Sequence, residues 1–333
     1  MQTFIDLPPA IATAAEHILS RGDIRALQQN SRKLHERYMD EAKGEFRSYI
    51  HGPADALAYL GLRFPATYAQ IYSALFQVHE RAPDWKPMSV LDLGCGPGTG
   101  IWAATAIWPT IQTAVGLDQD KNLLSLAEEI RHGVGNKVTW ITSTIAHWIH
   151  TLEAYDLIIV ANVLNELPKG IKDDLFDALK KNCRGIVLML EPGTPRGFGI
   201  IQSAAEKVSP LIAPYIQNTF IKSDEYWIHF PQRFTRPEFQ RRIRQSMRQS
   251  NLMASDWEET KFSYVAWGTV PVTKTFWGQA VGNVQKYRGY LTLPVLTAEG
   301  IKTARVMKRH KAAYAAAKRI RWGELIEQPM ELV

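Results

Sequence analysis

Residues 89–102 read Ser-Val-Leu-Asp-Leu-Gly-Cys-Gly-Pro-Gly-Thr-Gly-Ile-Trp, an apolar strand that runs straight into a glycine-rich turn. Val90, Leu91 and Leu93 have the pattern of a strand buried on both faces of a parallel sheet. Gly94, Gly96 and Gly98 let the chain turn tightly and come close to a ligand with no side chain between them. The helix expected next presents its N-terminal N–H groups to that ligand.

Working outward, the rest of the chain alternates strand and helix, as a parallel sheet requires. A helix is expected over 101–107, a strand over 113–117 ending at Asp118, a helix over 123–132 and a strand over 138–142. A fourth strand (155–161), a helix (171–181) and a very apolar fifth strand (185–190) ending at Glu191 follow. Upstream, residues 1–86 read as a helical region. Its segment from Leu57 is rich in aromatics, which either pack on the core or, through Tyr59, Arg63 and Tyr68, roof the site. Residues 87–207 form the first part of the main domain, and the proline-rich stretch 208–257 reads as an insertion. The remainder, 258–333, is expected to resume the same sheet with strands over 261–267, 290–296 and 301–307, closing with a helix over 311–325.

The sequence has 333 residues, 46% hydrophobic and 22% charged, enough to bury a large core. It has no apolar run near the roughly 20 residues of a membrane span and no signal or transit pattern, so a cytoplasmic protein without membrane contact is expected. Cys95 and Cys183 are far apart and lack metal-type spacing, which suggests reduced structural thiols and no zinc site. Oligomeric state leaves no signal.

The ligand is chosen by context. A dinucleotide fingerprint needs Gly-x-Gly-x-x-Gly, and the sixth residue from Gly94 is Thr99. Leu-Asp-Leu-Gly-x-Gly-x-Gly instead resembles class I S-adenosylmethionine-dependent methyltransferases, a Rossmann-like α/β fold with a mostly parallel seven-stranded sheet. That likeness implies that Gly94, Cys95, Gly96 and Gly98 face the methionine part of the cofactor, with Asp92 beneath ordering the turn and its ammonium group. It places Asp118, with Gln119 beside it, at the ribose, Ser143 and Thr144 at the adenine, and Asn162 near the transferable methyl.

No reaction is declared. Methyl transfer needs mainly proximity and alignment, and a base is optional. No cysteine lies in 162–168 to attack a base covalently, and Asn162-Val-Leu-Asn is not an Asn-Pro-Pro-aromatic turn. Asn165 and Glu166 are the catalytic candidates, and are equally suited to capping the turn after the strand. Glu191 is placed for a general base or for a turn-stabilising role. His229, among Tyr226, Trp227 and Phe230, reads as a packed histidine.

The formal net charge is +6, and it is segregated. Six arginines between Gln232 and Arg248, including Arg233, Arg236, Arg241, Arg242 and Arg244, face one acid, Glu238. Eight cations between Lys302 and Arg321, including Lys308, Arg309, Lys311 and Arg319, face none, with Tyr314 and Trp322 nearby. Two such runs suggest phosphate contacts, and RNA in particular.

Several motifs together resemble a family, the methyltransferase-like small-ribosomal-subunit proteins of mitochondria and their bacterial relatives. They are Leu57-Ala-Tyr-Leu-x-x-Arg-Phe-Pro-Ala-Thr-Tyr, Val-Leu-Asn-Glu-Leu-Pro at 163–168, Glu-Pro-Gly-Thr-Pro-x-Gly-Phe at 191–198, His229-Phe-x-Gln-Arg, Lys261-Phe-Ser-Tyr and Arg321-Trp-Gly-Glu. The resemblance implies association with small-subunit ribosomal RNA or a 30S precursor, as a methyltransferase or as a non-catalytic assembly factor; a small-molecule or protein methyltransferase is the rival. Many members carry cysteines that bind an iron–sulfur cluster. Tyr215 and Ile228 stand at the matching positions here, so no cluster is expected, and Tyr226, Trp227, Phe230 and Phe234 are expected to hold the insertion by packing.

Overall fold

The computed structural model describes residues 4–40, 50–134, 137–220, 222, 227–247 and 255–333. Four helices open the chain: α1 (Pro9–Ser20), α2 (Ile24–Asp40), α3 (Pro53–Leu62) and α4 (Phe64–Arg81). Prolines at the first turns of α1, α3 and α4 fit there because those N–H groups have no helical partner. Helix α4 is buried nearly all round, from Phe64 through Tyr68, Ile71 and Leu75 to Val78, so it is a core helix laid against the sheet.

The sheet is built from β1 (Ser89–Leu93), α5 (Thr99–Ile107), β2 (Thr113–Asp118), α6 (Lys121–Val134), β3 (Thr139–Thr142), α7 (Ile145–Trp148), β4 (Tyr155–Ala161), α8 (Lys169–Asn182) and β5 (Cys183–Pro192). Its five strands run parallel in the order β3-β2-β1-β4-β5. Strand β1 is buried throughout, and Val90, Leu91 and Leu93 each contribute about 1.5–3 kcal/mol by leaving water.

After β5 come α9 (Pro195–Ala205), β6 (Leu211–Ala213), β7 (Phe230–Thr235), α10 (Glu238–Met247) and β8 (Trp257–Gly268). The long β8 runs antiparallel to β5 and pairs on its other side with β6 and β7, giving an eight-stranded sheet. A parallel 3-2-1-4-5 core extended by one reversed strand is the class I methyltransferase sheet. The N-terminus extends β7, where the N–H of Ile5 donates to the Arg233 carbonyl at 3.0 Å.

The last part differs from the sequence reading. Strands β9 (Gly278–Ala280), β10 (Gln285–Lys286), β11 (Tyr290–Thr297) and β12 (Gly300–Met307) do not rejoin the first sheet. With β13 (Leu325–Ile326) and β14 (Glu331–Leu332) they make a separate antiparallel sheet of six strands around its own small core of Leu291, Leu293, Val295 and Ala304. The edge of the first sheet is already taken by β6 and β7, so the β11–β12 hairpin finds its partners locally. The closing helix, α11 (Lys311–Ala317), is also shorter than the periodicity suggests. Gly323 takes a φ of 87° and Leu325 pairs with Gln279, which turns the chain back into the second sheet. Helix α10, hidden in sequence behind Pro231 and Pro237, is another difference. No helix of the described residues is long and apolar enough to cross a membrane.

Candidate cofactor site

The turn after β1 sits where the strands point their C-terminal ends. The N–H groups of Gly94 and Cys95 both donate to the Leu117 carbonyl, at 2.7 and 3.0 Å, which ties the turn to β2. Gly96 and Gly98 have φ of 54° and 80°, a region that disfavours any side chain. At Gly98 a Cβ would strike the rings of Trp140 and Trp102. At Gly96 it would enter open space, meeting only Cε1 of Tyr59 at 3.9 Å. The backbone is therefore bare on the side that faces α3.

Two carboxylates flank this opening. Asp92, fully inside, accepts the N–H of Gly100 at 2.9 Å and lies under the first turn of α5. Burial raises its carboxyl to about 7, against the stabilising pull of the Gly100 and Ile101 N–H groups. Asp118 accepts from the N–H of Gly96 at 2.8 Å with one oxygen and from that of Asp120 at 2.9 Å with the other. Its pKa is also raised by burial. The Gln119 N–H also faces this carboxylate, which still has acceptor capacity for a further donor. Cys95, packed against both carboxylates, has its thiol pushed well up by burial, so it is an inert neutral group.

Tyr59 closes the opening from α3. Burial raises its phenol, which sits beside Thr67, Arg63, Asp118 and Glu166. Tyr59 thus stands over the site with Arg63 near its phenol, whereas Tyr68 lies in the core stacked on Tyr72. Gln119 is exposed beside Asp118. Ser143 is tied through its N–H to the Asp118 carbonyl at 3.0 Å, and Thr144 is occupied as the N-cap of α7, bonding the His147 N–H.

The loop after β4 holds the remaining candidates. Asn162 takes a φ of 58°, a strained value for a non-glycine residue, and its side-chain Oδ1 is buried without a partner. The Oδ1 of Asn165 is buried and unpartnered as well. Glu166 ends a short 3₁₀ turn that starts at Leu164. Beneath it Glu191, fully buried, faces the N–H groups of Val163, Leu164 and Asn165, accepting from Asn165 at 3.3 Å. Burial lifts its carboxyl to about 7. Of its two candidate roles, the geometry supplies the support of the loop.

A family profile described as mitochondrial small ribosomal subunit Rsm22 matches residues 53–327. The chain belongs to the Rsm22 family. Rsm22-cox11 tandem protein 2, mitochondrial, of Schizosaccharomyces pombe is 29% identical over 161 residues, covering 44% of this chain and 21% of that protein. Human ribosome assembly protein METTL17, mitochondrial, is 25% identical over 167 residues, covering 48% of this chain and 36% of that protein. The chain therefore aligns with well under two thirds of these relatives' own length. Among solved structures, PKMT2 from Rickettsia typhi in complex with AdoHcy overlaps at a TM-score of 0.32 and 21% identity, covering 42% of this chain and 28% of that one. At such overlap the fold assignment rests on the sheet order itself.

In this Rsm22-family chain the insertion packs as an aromatic layer. Phe230 sits against Phe262 and Tyr264, with ring centroids 5.9 and 5.3 Å apart, and Phe234 is buried. Tyr215 and Ile228 are in the core. Trp227 is half exposed and stacks on His229, which Trp322 covers from the other side. His229 donates from Nδ1 to the Trp227 carbonyl, and burial lowers its pKa, so it is a neutral packed histidine. Tyr226 and Arg248 lie outside the described residues.

The two basic runs separate in space. Arg233, Arg236, Arg241, Arg242 and Arg244 surround α10, and every one of them meets a carboxylate. Counting charge along 232–248 missed those partners because Glu16, Asp256, Glu258 and Glu259 lie outside that window. Lys308 and Arg309 lie in the turn after β12, Lys311 opens α11 and Arg319 follows it, all exposed.

Proposed function

We propose that this chain is an S-adenosylmethionine-binding, methyltransferase-like factor that acts on or assembles the small ribosomal subunit through its ribosomal RNA. The observation that carries the cofactor part is the bare backbone at Gly96, framed by Asp92, Asp118 and Tyr59. The residues fit the group: Asp118 has lone pairs for ribose hydroxyls, and buried Asp92 is suited to a nearby ammonium. The orphaned Oδ1 of Asn162 lies at the adjoining strand end. When bound, the cofactor supplies an electrophilic methyl on a sulfonium. The chain's own part is to orient and to exclude water, by Tyr59 above and the Glu191-supported loop at the side. Membership of the Rsm22 family, and METTL17's own description as a ribosome assembly protein, support the ribosomal part.

A second reading, binding without turnover, is favoured by one observation: Glu191, the best-placed base, is committed to the backbone of the 163–165 loop. Transfer of isotopic methyl to small-subunit RNA would exclude it.

Titration calorimetry with S-adenosylmethionine tests the cofactor. Wild type is expected to bind, and Gly96→Arg, which fills the open space, to lose binding altogether. Asp118→Ala is expected to weaken it by about 10-fold or more, as lost charge-assisted hydrogen bonds do. A cation beside Asp92 favours its ionised form, so binding near pH 7 should expel a proton, read as a heat that varies with the buffer's ionisation enthalpy. Asp92→Asn should remove that dependence. No binding by wild type would sink the cofactor reading, while failure to co-sediment with 30S precursors would sink the ribosomal one.

A further inference from the structure

One end of the second sheet carries a stacked pair of tyrosines, Tyr287 exposed and Tyr290 half-buried. The rings of Tyr287 and Tyr290 lie 4.9 Å apart with planes 16° from parallel, and the Arg305 guanidinium sits 5.2 Å from the Tyr290 ring centre. Strand register accounts for this. Across β11 and β12, Tyr290 faces Met307 and Thr292 faces Arg305, so Tyr290 and Arg305 are diagonal neighbours on one face. The intervening Leu291 and Leu293 point the other way, into the small core, with Ala304 and Val306.

Tyr287 is 46% exposed yet held in place. Its hydroxyl donates to Oε1 of Gln285 at 2.7 Å, and its N–H to the Tyr290 carbonyl at 2.9 Å. A flat ring kept in water contributes little to folding, and a solvated surface gives no reason to fix it against a second ring. Beside it, the Nε of Arg305 is buried without an acceptor. Both features are relieved by a ligand with a flat π face and hydrogen-bond acceptors.

The surrounding charge selects the ligand further. Lys308 donates its backbone N–H to the Gly289 carbonyl at 2.8 Å, which brings the turn holding Arg288 against the turn holding Lys308 and Arg309. From Lys286 to Arg321 there are ten lysines and arginines against one acid, Glu299, which sits at the far end of the β11–β12 hairpin. Among the described residues, Lys286, Arg288, Lys308 and Arg309 form no ion pair. Glu331 stands opposite Arg305 on β14, and the two form no ion pair among the described residues.

Resting on the ribosomal RNA reading above, we propose that Tyr287, Tyr290 and Arg305 form a stacking platform for an unpaired RNA base, with Arg288, Lys308 and Arg309 taking the flanking phosphates. Bases in a duplex are stacked on each other and offer a protein phosphates and 2′-hydroxyls instead of a π face. A stacked aromatic pair whose outer ring, Tyr287, is exposed among unpaired cations therefore suits a single strand.

The test is fluorescence anisotropy on the full chain, with a labelled single-stranded RNA 12-mer, its duplex, and a small-subunit ribosomal RNA fragment. Wild type should prefer the single strand. Tyr287→Ala with Tyr290→Ala should weaken it by about 10-fold or more at unchanged salt dependence, whereas Tyr287→Phe with Tyr290→Phe should keep most of the affinity. Lys308→Ala with Arg309→Ala should lower the salt slope by about 1.4. If wild type binds and the alanine pair binds equally well, or if the duplex binds as tightly as the single strand, the platform is overturned and the surface is a plain polyanion site, open to an acidic protein as well. If wild type binds none of the RNAs, the ribosomal RNA reading falls and the platform with it.

Discussion

The chain carries two runs of positive charge, and the fold puts them to different uses. Around α10, Arg236 and Arg244 share Glu258 at 3.1 and 2.8 Å, Arg241 bridges Glu238 and Asp256, Arg233 meets Glu259, and Arg242 reaches Glu16 on α1. Five arginines meet five acids there, so the local field is close to neutral. Of these contacts Arg242–Glu16 ties the insertion to the helical region, helped by Gln240, whose side-chain amide donates to the Leu62 carbonyl at 3.0 Å. On the second sheet Lys286, Arg288, Lys308 and Arg309 form no ion pair among the described residues and stand exposed near an aromatic pair. Positive charge listed along a chain becomes a surface field only where the fold leaves it unmatched.

Charge reversal should separate the two regions most sharply. Lys308→Glu with Arg309→Glu is expected to cut affinity for a small-subunit RNA fragment by about 100-fold at moderate salt, since it both removes phosphate contacts and adds repulsion. Arg241→Glu with Arg242→Glu, measured in the same assay, should cost less than about threefold. Equal losses would break the contrast, because paired arginines would then be exchanging carboxylates for phosphates.

A smaller effect should appear in stability. Glu258→Ala leaves Arg236, whose side chain is 9% exposed, without its carboxylate. Removing one partner of a partly buried pair is expected to cost about 1–3 kcal/mol, discounted from the fully buried case because Glu258 itself is 24% exposed. Chemical denaturation reads this directly, and RNA affinity should stay unchanged.

These two regions also mark how far the sequence could be read. The β1 strand and its turn declare themselves because buried apolar runs and glycines with positive φ are local requirements. The same holds for Asp118 at the end of β2, and the order of strands follows from short right-handed crossovers. What lay hidden was non-local. Glu191's hold on the 163–165 loop depends on β5 lying beside β4, and no pattern within either strand announces it. The neutralising acids of α10 come from up to 226 residues away. Strands β11 and β12 were recognised as strands, but their sheet was not, because alternation fixes a face and not a partner. Tyr287, Tyr290 and Arg305 escaped for the same reason: only the register of the hairpin makes them neighbours.

The smallest effect is also the finest probe of the comparison. Arg233 lies at the rim of the first region, 49% exposed in its side chain, paired with Glu259 at 3.3 Å and stacked 4.7 Å from the Trp257 ring centre. Of the paired arginines it most resembles the second region, since it joins a cation to an exposed aromatic. Exposed pairs of this geometry couple weakly because water and salt screen them. A double-mutant cycle with Arg233→Gln and Glu259→Gln, followed by denaturation, should give a coupling of about 0.5 kcal/mol, and neither change should move RNA affinity by more than about twofold. If Arg233→Gln instead lowers RNA binding as strongly as the loss of Lys308 and Arg309, the phosphate-binding field extends across both sheets, and ion pairing does not decide which arginines meet RNA.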